Sequence, residues 1–257
     1  MKKIKKNFVK QKKKHGLSIV IPVFNEKENL KILIPRIFKT IKIIKFEIIV
    51  IDDDSTDGTR KLLNKMLPSL KNLIYISRKV KPGDLSKSCI LGFDKSKYNN
   101  VLVMDGDLQH EPKDINNLYS FFLKKNCDIV VGSRNLFKKK NKGLKFYRLI
   151  ISIILIVIVN FLLGFRTSDP MSGFFIFKKK VYLKNKKFLF NNGYKILLDL
   201  IYSSKEKIKI SDVDINFRSR SEGSSKINFK IIYFLGLIIF QKFYLRISNI
   251  FNWIDIY

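Results

Sequence analysis

The first half of the chain alternates short apolar runs with longer amphipathic stretches. The short runs are rich in Val and Ile and apolar at nearly every position, which is typical of strands buried on both faces of a parallel sheet. These runs are Ser18–Phe24, Phe46–Ile51, Leu73–Ile76, Val101–Met104 and Asp128–Val131. We therefore predict five strands of one largely parallel sheet.

A stretch with helical periodicity follows each predicted strand except the last. The predicted helices are Glu26–Ile41, Thr56–Met66, Leu85–Lys97 and Pro112–Lys125. The repeated alternation predicts an α/β fold with a doubly wound, mostly parallel sheet flanked by helices. In such sheets, ligands bind beyond the carboxyl ends of the strands.

Two long apolar segments, Leu149–Phe165 and Ile227–Ile247, set the second half apart. Neither shows the wide polar face expected of a helix that packs on a core and faces water. We interpret both as helices that lie in, or dip into, a membrane interface, with burial in the protein core as the alternative. Strands at Phe174–Phe177 and Ile208–Phe217, with a helix at Lys195–Ser203 between them, complete the pattern.

The composition indicates a folded domain with anionic partners. A chain of 257 residues, 46% hydrophobic and 13% aromatic, suits one large domain with a real core. The formal net charge of +30 favours phosphorylated substrates, anionic lipid headgroups or nucleic acid as partners. Residues 1–16 form a basic arm without a signal-peptide pattern, and Cys89 and Cys127 are interpreted as buried free thiols, so a cytoplasmic setting is expected.

The sharpest chemical signal is an acidic pair at the end of a predicted strand. Asp105 and Asp107 follow Val101–Met104, and an extended backbone would aim both carboxylates to one face. Two such carboxylates repel each other unless a cation lies between them, so the pair predicts a divalent ion shared with substrate phosphates. Gly106 would let the backbone approach a ligand closely.

A second acidic cluster, Asp52 to Asp54, follows another buried strand. One of its carboxylates could contact a base or a ribose. The alternative is a turn at a helix start, in which Asp54, Ser55 or Thr56 caps the helix. Both interpretations can hold together.

These segments together resemble the family 2 glycosyltransferases of the GT-A fold, in particular the group that glycosylates dolichyl and polyprenyl phosphates. The motifs that carry the resemblance run from Leu17 to about Lys226. They are IPVFNEKENL, VIDDDSTDGT, VMDGDLQHEP, VGSRN, DPMSGFF, GYKILL and RSEGSSK. Phe24 stands where the family commonly has Tyr, and Gly106 where Ala is usual.

The resemblance implies roles for individual residues. The nucleotide pocket would comprise Pro22, Phe24, Glu26, Ile51 and Asp53. The ligands of Mg²⁺ or Mn²⁺ would be Asp105, Asp107 and Gln109, with Gly106 beside the donor diphosphate. Further donor contacts would come from Arg134, Arg220 and Lys226, and the acceptor phosphate would meet Arg134, Arg148 and Ser152.

Within that set, Asp107, Arg134 and Arg220 would be catalytic. Arg220 and Lys226 would lie on a segment that closes over the donor. The alternative for the four basic residues is ordinary surface charge, because the whole chain is strongly basic.

The implied activity is transfer of a hexose, with mannose from GDP-mannose as the leading expectation, to a dolichyl or polyprenyl phosphate with inversion. UDP-glucose or another sugar nucleotide is the alternative donor. Nucleic-acid binding is not expected, because no nucleic-acid-binding motif accompanies the charge.

The expected domain organisation is a basic arm at 1–16, a catalytic domain at 17–226 and a membrane-associating segment at 227–257. The apolar helix at 149–165 would belong to the catalytic domain and contact the membrane interface. An anionic membrane surface, with the catalytic domain on its cytoplasmic side, is the expected location. A membrane partner subunit is possible.

Overall fold

The computed structural model contains one seven-stranded sheet with helices on both faces. It describes residues 16–43, 45–79, 83–134, 146–204, 206–218 and 229–254. The strands are β1 (Leu17–Val23), β2 (Phe46–Asp52), β3 (Leu73–Ser77), β4 (Asn100–Val103), β5 (Ile129–Ser133), β6 (Phe175–Lys178) and β7 (Ile210–Asp214). Their order across the sheet is β3-β2-β1-β4-β6-β5-β7.

All neighbouring strands are parallel except β6, which runs antiparallel to both β4 and β5. The predicted doubly wound, mostly parallel sheet is therefore confirmed. The carboxyl ends of β1, β2 and β4 lie along one edge, because the parallel register aligns Val23 with Asp52 and Val20 with Val103.

Eight helices connect and cover the described strands. They are α1 (Lys27–Thr40), α2 (Thr59–Met66), α3 (Leu85–Lys95), α4 (Lys113–Lys125), α5 (Phe146–Leu163), α6 (Lys179–Asn185), α7 (Ile196–Tyr202) and α8 (Phe229–Ile254). Short 3-10 turns extend α2 and α6. The sequence pattern did not predict α6, whose helical turns carry mostly polar residues.

The sheet separates two apolar cores, because successive strand residues point to opposite faces. On one face, Ile19 and Ile21 pack with residues of α1, α2 and α4. On the other, Val20 and Ile51 pack with α3, α6 and α7. Burial on both faces explains why β1, β2 and β4 are apolar at almost every position.

The two apolar helices, α5 and α8, pack against each other and against α7 in a third core. Val159 and Ile238 are fully buried there, whereas Phe161 and Phe240 remain 85% and 71% exposed. Each helix therefore has one face in the protein core and another apolar face open to the surroundings. Across the described parts of the chain, no helix combines the length and hydropathy that a membrane crossing requires.

A buried ion pair holds α8 to the rest of the fold. The Lys242 ammonium lies 2.7 Å from the Asp199 carboxylate of α7, and both side chains are almost completely buried. The same ammonium donates to the Ser203 hydroxyl and the Phe188 carbonyl, each at 2.8 Å. The C-terminal helix is thus an integral layer of the structure.

Candidate active site

The acidic pair lies in a bend beyond the sheet. Strand β4 ends at Val103, and the chain bends from Gly106 through Leu108, which has a φ of 62°. The backbone is therefore not extended through the acidic pair, contrary to the expectation from the sequence, whereas the shared metal role of the two carboxylates stays a prediction. Asp107 is buried, whereas the Asp105 side chain is about a third exposed.

Asp105 lies against two residues to which sequence analysis gave no role. A Cβ atom on Gly173 would come within 2.0 Å of the Asp105 carboxylate, so any larger residue there would displace that carboxylate. Nε2 of the buried His110 is 3.6 Å from Asp105 Oδ2, and its ring stacks on Phe174 at 5.0 Å. The DPMSGFF segment thus forms the wall behind this carboxylate.

Gly106 has a packing role. A Cβ atom there would point at the core, 3.0 Å from a Val23 methyl group and 3.6 Å from Ile21. An alanine would require Val23 to shift by a few tenths of an ångström. The space that a side chain at position 106 would need is therefore in the core. The expected close approach of a ligand to Gly106 stays a prediction.

Gln109 links the acidic bend to the residues just before Arg220. Its backbone N–H donates to Asp107 Oδ1 at 3.2 Å, and its side-chain amide donates to the Arg218 carbonyl at 3.0 Å. Arg218 also pairs with Glu111 at 2.6 Å. The chain at 217–218 is therefore fixed to the bend that holds the acidic pair.

Arg134 is held by a buried carboxylate. Its Nε and Nη2 donate to the two oxygens of Asp169 at 2.7 and 2.8 Å, in a bidentate pair. Burial is the largest single effect and acts to lower the pKa of Arg134, but the charge and hydrogen bonds of Asp169, together with the charge of Asp105, raise the pKa overall. The guanidinium also lies 5.6 Å from the centre of the Phe217 ring. Asp105 is a further electrostatic neighbour, so Arg134 belongs to the same site.

Lys195 is the functional candidate that sequence reasoning missed. It immediately precedes α7 and has Arg134, Asp105 and Asp169 as its electrostatic neighbours. Burial, followed by the charge of Arg134, lowers the pKa of Lys195, and the two carboxylates act in the opposite direction. The available signal was the GYKILL motif, in which this lysine stands at the third position.

On the predicted nucleotide side, Asp53 organises a second set of contacts. Its buried carboxylate pairs with Arg78 at 3.0 Å, accepts from the Asp84 backbone N–H at 2.7 Å and accepts a very short hydrogen bond from Ser88. Burial raises the pKa of Asp53 despite these donors. Ile51, near the end of β2, is fully buried in the apolar core formed with α3, α6 and α7. Tyr194 has Asp84 and Asp53 as electrostatic neighbours.

The Gly193–Lys195 segment joins the two sets. The backbone N–H of Gly193 donates to Asp84 Oδ2 at 2.8 Å, and its carbonyl accepts from Ser86 at 2.9 Å. Lys195, two residues later, lies near Asp105. The motif thus runs from the Asp53 side of the site to the acidic bend.

The remaining predicted pocket residues lie at the carboxyl end of β1. Pro22 is on the strand, Phe24 is 42% exposed just after it, and Glu26 accepts from the Asn29 amide at 2.6 Å. None of the expected caps Asp54, Ser55 or Thr56 caps α2. Asp57 instead accepts from the Thr59 backbone N–H and hydroxyl.

Three predicted residues cannot be placed with the others. Arg220 and Lys226 lie outside the described residues, and of Arg148 only the backbone is described, in the first turn of α5. Ser152 is half-buried one turn further along α5. Their assignments stay predictions.

The residues present suit a metal ion that is shared with a substrate rather than enclosed by protein. Across the described residues, no group of three or more His, Cys, Asp and Glu side chains could hold an ion. Mg²⁺ binds in such sites through one or two carboxylates plus substrate phosphates. Asp105, Asp107 and the amide oxygen of Gln109 are a donor set of that kind.

A mostly parallel sheet whose strand ends carry an acidic bend, with Arg134 and Lys195 beside that bend, defines a GT-A glycosyltransferase. Residues 18–185 match the family described as Glycosyl transferase family 2, and the chain belongs to that family. It is similar to the dolichol-phosphate mannosyltransferases of Pyrococcus furiosus (35% identity; 84% of this chain, 60% of that protein) and Saccharomyces cerevisiae (31%; 84% and 82%). The match thus spans less than two thirds of the Pyrococcus protein.

The fold is also that of solved structures. Glucosyl-3-phosphoglycerate synthase from Mycobacterium tuberculosis in complex with UDP superposes with a TM-score of 0.67 at 17% identity, over 89% of this chain and 80% of that one. A second structure of that synthase, with Mn²⁺, UDP-glucose and phosphoglyceric acid, gives a TM-score of 0.66 at 17% identity, over 87% and 79% of the two chains. At this identity the likeness establishes the fold alone.

Proposed function

We propose that the protein transfers mannose from GDP-mannose to a dolichyl or polyprenyl phosphate, with inversion at the anomeric carbon. Support comes from relatives in an archaeon, a yeast and a mycobacterium whose names specify dolichol-phosphate or polyprenol mannosyl transfer. The divalent ion is Mg²⁺ or Mn²⁺, in line with the Mn²⁺ in a solved protein of the same fold.

One observation carries the proposal: carboxylates and cations meet at the acidic bend. Asp105 is about a third exposed and has Arg134 and Lys195 as electrostatic neighbours. Both substrates of the proposed reaction carry phosphate. Arg134 and Lys195 would offset the repulsion between those phosphates and help to hold them in line.

The acceptor phosphate can act as the nucleophile without a dedicated base. The second ionisation of a phosphate monoester lies near pH 6, so the dianion is abundant at neutral pH. One of its oxygens attacks the anomeric carbon while the bond to the donor diphosphate breaks, and the leaving nucleoside diphosphate takes the electron pair. When bound, the metal ion supplies positive charge against the leaving diphosphate.

Arg134 and Lys195 add fixed charge around the reacting groups. Because Asp169 binds Arg134 in a bidentate pair, the guanidinium is oriented before any substrate arrives. Such preorganised charge costs no reorganisation during the reaction. Arg220 and Lys226, on the segment that follows Arg218, complete the proposed donor site, and Arg148 with Ser152 the acceptor site.

The proposed location is an anionic membrane surface, with the catalytic domain on the cytoplasmic side. The exposed faces of α5 and α8 carry Val157, Phe161, Phe240 and Tyr244, each more than half exposed. An apolar helix face rimmed by basic residues is suited to lie in the interface plane. A membrane partner subunit remains compatible with the same surface.

A transfer assay tests the proposal directly. Purified protein is incubated with labelled GDP-mannose, UDP-glucose or UDP-mannose, with dolichyl phosphate or a bacterial-type polyprenyl phosphate, and with Mg²⁺, Mn²⁺ or chelator. We expect metal-dependent formation of a lipid-phosphate mannose from GDP-mannose. Preferential use of UDP-glucose would overturn the donor assignment, and transfer only to non-lipid acceptors would overturn the acceptor assignment.

A further inference from the structure

A polar cavity of about 340 Å³ lies between the C-terminal ends of α5 and α7 and the side of α8. It shares no lining residue with the candidate active site. Its polar lining consists of the side chains of Arg166, Arg246, Lys242, Tyr202, Ser203 and Ser204. Among the described residues that line it, three are basic and none is acidic, so the cavity is built to receive negative charge.

The charge of the cavity comes from the two arginines. Lys242 is neutralised by Asp199 at 2.7 Å. Arg246 Nη1 donates to the Leu162 carbonyl at 3.0 Å, which occupies one of the five N–H donors of a guanidinium. Burial raises the pKa of Tyr202 to about 12, whereas the charges of Arg166 and Arg246 act to lower it. Both guanidiniums and this phenol line the same cavity.

The surroundings of the cavity are apolar and exposed. Phe165, next to Arg166, is 70% exposed, and Tyr244, two residues before Arg246, is 66% exposed. Phe161 lies one helical turn before the cavity and is 85% exposed. Aromatic and basic side chains side by side are typical of surfaces at the headgroup level of a membrane.

Capping of α5 accounts for only part of this arrangement. A cation near a helix C-terminus is favourable, and Arg246 binds a carbonyl of the last turn. Tyr202 already donates to the Gly164 carbonyl at 2.8 Å. Neither bond requires Arg166, and neither requires a cavity of this size.

We propose that this cavity binds a phosphate group, supplied by the headgroup of an anionic phospholipid. The inference goes beyond the proposed reaction and rests on it only for the orientation of α5 and α8 towards a membrane. The site is distinct from that of the reacting phosphates. Helix α7 separates Lys195 from Ser203, and its seven residues correspond to about 10 Å.

The test compares Arg166→Gln/Arg246→Gln with a control of equal charge loss, Arg36→Gln/Lys180→Gln, whose side chains are exposed elsewhere. Vesicle flotation is measured with phosphatidylcholine alone and with added phosphatidylglycerol. Calorimetric titration with glycerol 3-phosphate and with inorganic phosphate is done in the presence of GDP and Mg²⁺. We expect the cavity variant to bind the anionic vesicles and glycerol 3-phosphate about tenfold more weakly than the control.

If the cavity variant binds vesicles and phosphate as well as the control variant does, the proposal is overturned, and the two arginines serve only to cap α5. Weaker phosphate binding with unchanged flotation would overturn the lipid source. Arg166→Gln alone leaves the α5 cap intact and keeps the test decisive if the double variant is unstable. Transfer to a short soluble acceptor should be unchanged in the cavity variant. If the wild-type protein shows no transfer, the proposed function fails, whereas the titrations still decide on the cavity.

Discussion

At the scale of single residues, the site depends on a glycine as much as on its carboxylates. Gly173 leaves just enough room for the Asp105 carboxylate. We predict that Gly173→Ala displaces this carboxylate and lowers transfer activity at least about tenfold, while the fold persists. Steady-state kinetics and thermal unfolding check this. Gly236→Ala is the control, because a Cβ there meets nothing within 4 Å. Full activity of Gly173→Ala would show that Asp105 needs no fixed position.

The predicted metal ligands lie in the acidic bend. We predict that Asp107→Asn abolishes transfer and weakens donor binding in the presence of Mg²⁺ or Mn²⁺, because an amide oxygen is a poorer ligand for a hard cation than a carboxylate. Asp54→Asn is the matched control, since Asp54 has a φ of 61°, which asparagine tolerates well. Calorimetry and activity with and without chelator measure both effects. Wild-type activity in excess chelator would refute the metal role.

Lys195 is predicted to stabilise phosphate charge in the reaction. Lys195→Gln should lower kcat/KM about 10- to 100-fold, the usual range for losing a hydrogen bond to a charged group. The melting temperature should not fall, because even a half-buried ammonium costs free energy to desolvate. Lys195→Arg should restore part of the activity. A lower melting temperature with unchanged kcat/KM would instead assign Lys195 a structural role beside Asp169.

At the scale of elements, the strands could be predicted from the sequence because each is marked by its own short run of apolar residues. The run Phe46–Ile51 predicted β2 to within one residue, since a strand buried on both faces is apolar throughout. The direction of β6 and its place between β4 and β5 were not readable, because a four-residue apolar run does not specify its partners. Lys195 and Gly173 escaped notice for a related reason, because their neighbours are distant in the sequence. Gly173 lies against Asp105, and Lys195 has Asp105, Arg134 and Asp169 as electrostatic neighbours.

The attachment of α8 gives a prediction at the same scale. Lys242→Met would leave Asp199 buried without its cation, and removing one partner of a buried pair costs about 3 to 5 kcal/mol. Chemical denaturation should show this loss. Lys242→Met/Asp199→Leu should recover much of it. The control Lys180→Met breaks an exposed pair with Asp128, which contributes at most about 1 kcal/mol. Equal losses for both single variants would argue against anchoring by this pair.

At the scale of the whole molecule, the net positive charge and the exposed apolar surface would both favour binding to an anionic membrane. The chain has 51 Lys and Arg against 21 Asp and Glu, while α5 and α8 expose large apolar side chains. Basic residues near an anionic surface contribute roughly 1 kcal/mol each, in a salt-dependent manner. Burial of apolar side chains is not screened by salt, and full burial of one contributes roughly 1.5 to 3 kcal/mol. A salt series can therefore separate the two contributions.

We predict that replacing Phe161, Phe165, Phe240 and Tyr244 with serine reduces flotation on anionic vesicles at every salt concentration. All four side chains are more than 60% exposed, so their loss should leave the core intact. Removal of residues 2–14 should reduce flotation modestly and mainly at low salt, because that arm acts through charge.

The matched control replaces Leu123 and Leu183, which are 52% and 58% exposed on α4 and α6, with serine. Neither side chain belongs to the core that α5 and α8 form with α7, so flotation should be unchanged although apolar surface has again been removed. The variant with four serines should also transfer mannose more slowly to long-chain acceptors than to a short soluble one. The reason is that a long-chain acceptor is embedded in a bilayer, which the enzyme must bind to reach it. If that variant floats as well as the control at high salt, the exposed faces of α5 and α8 are not the membrane contact, and a protein partner becomes the better candidate for covering them.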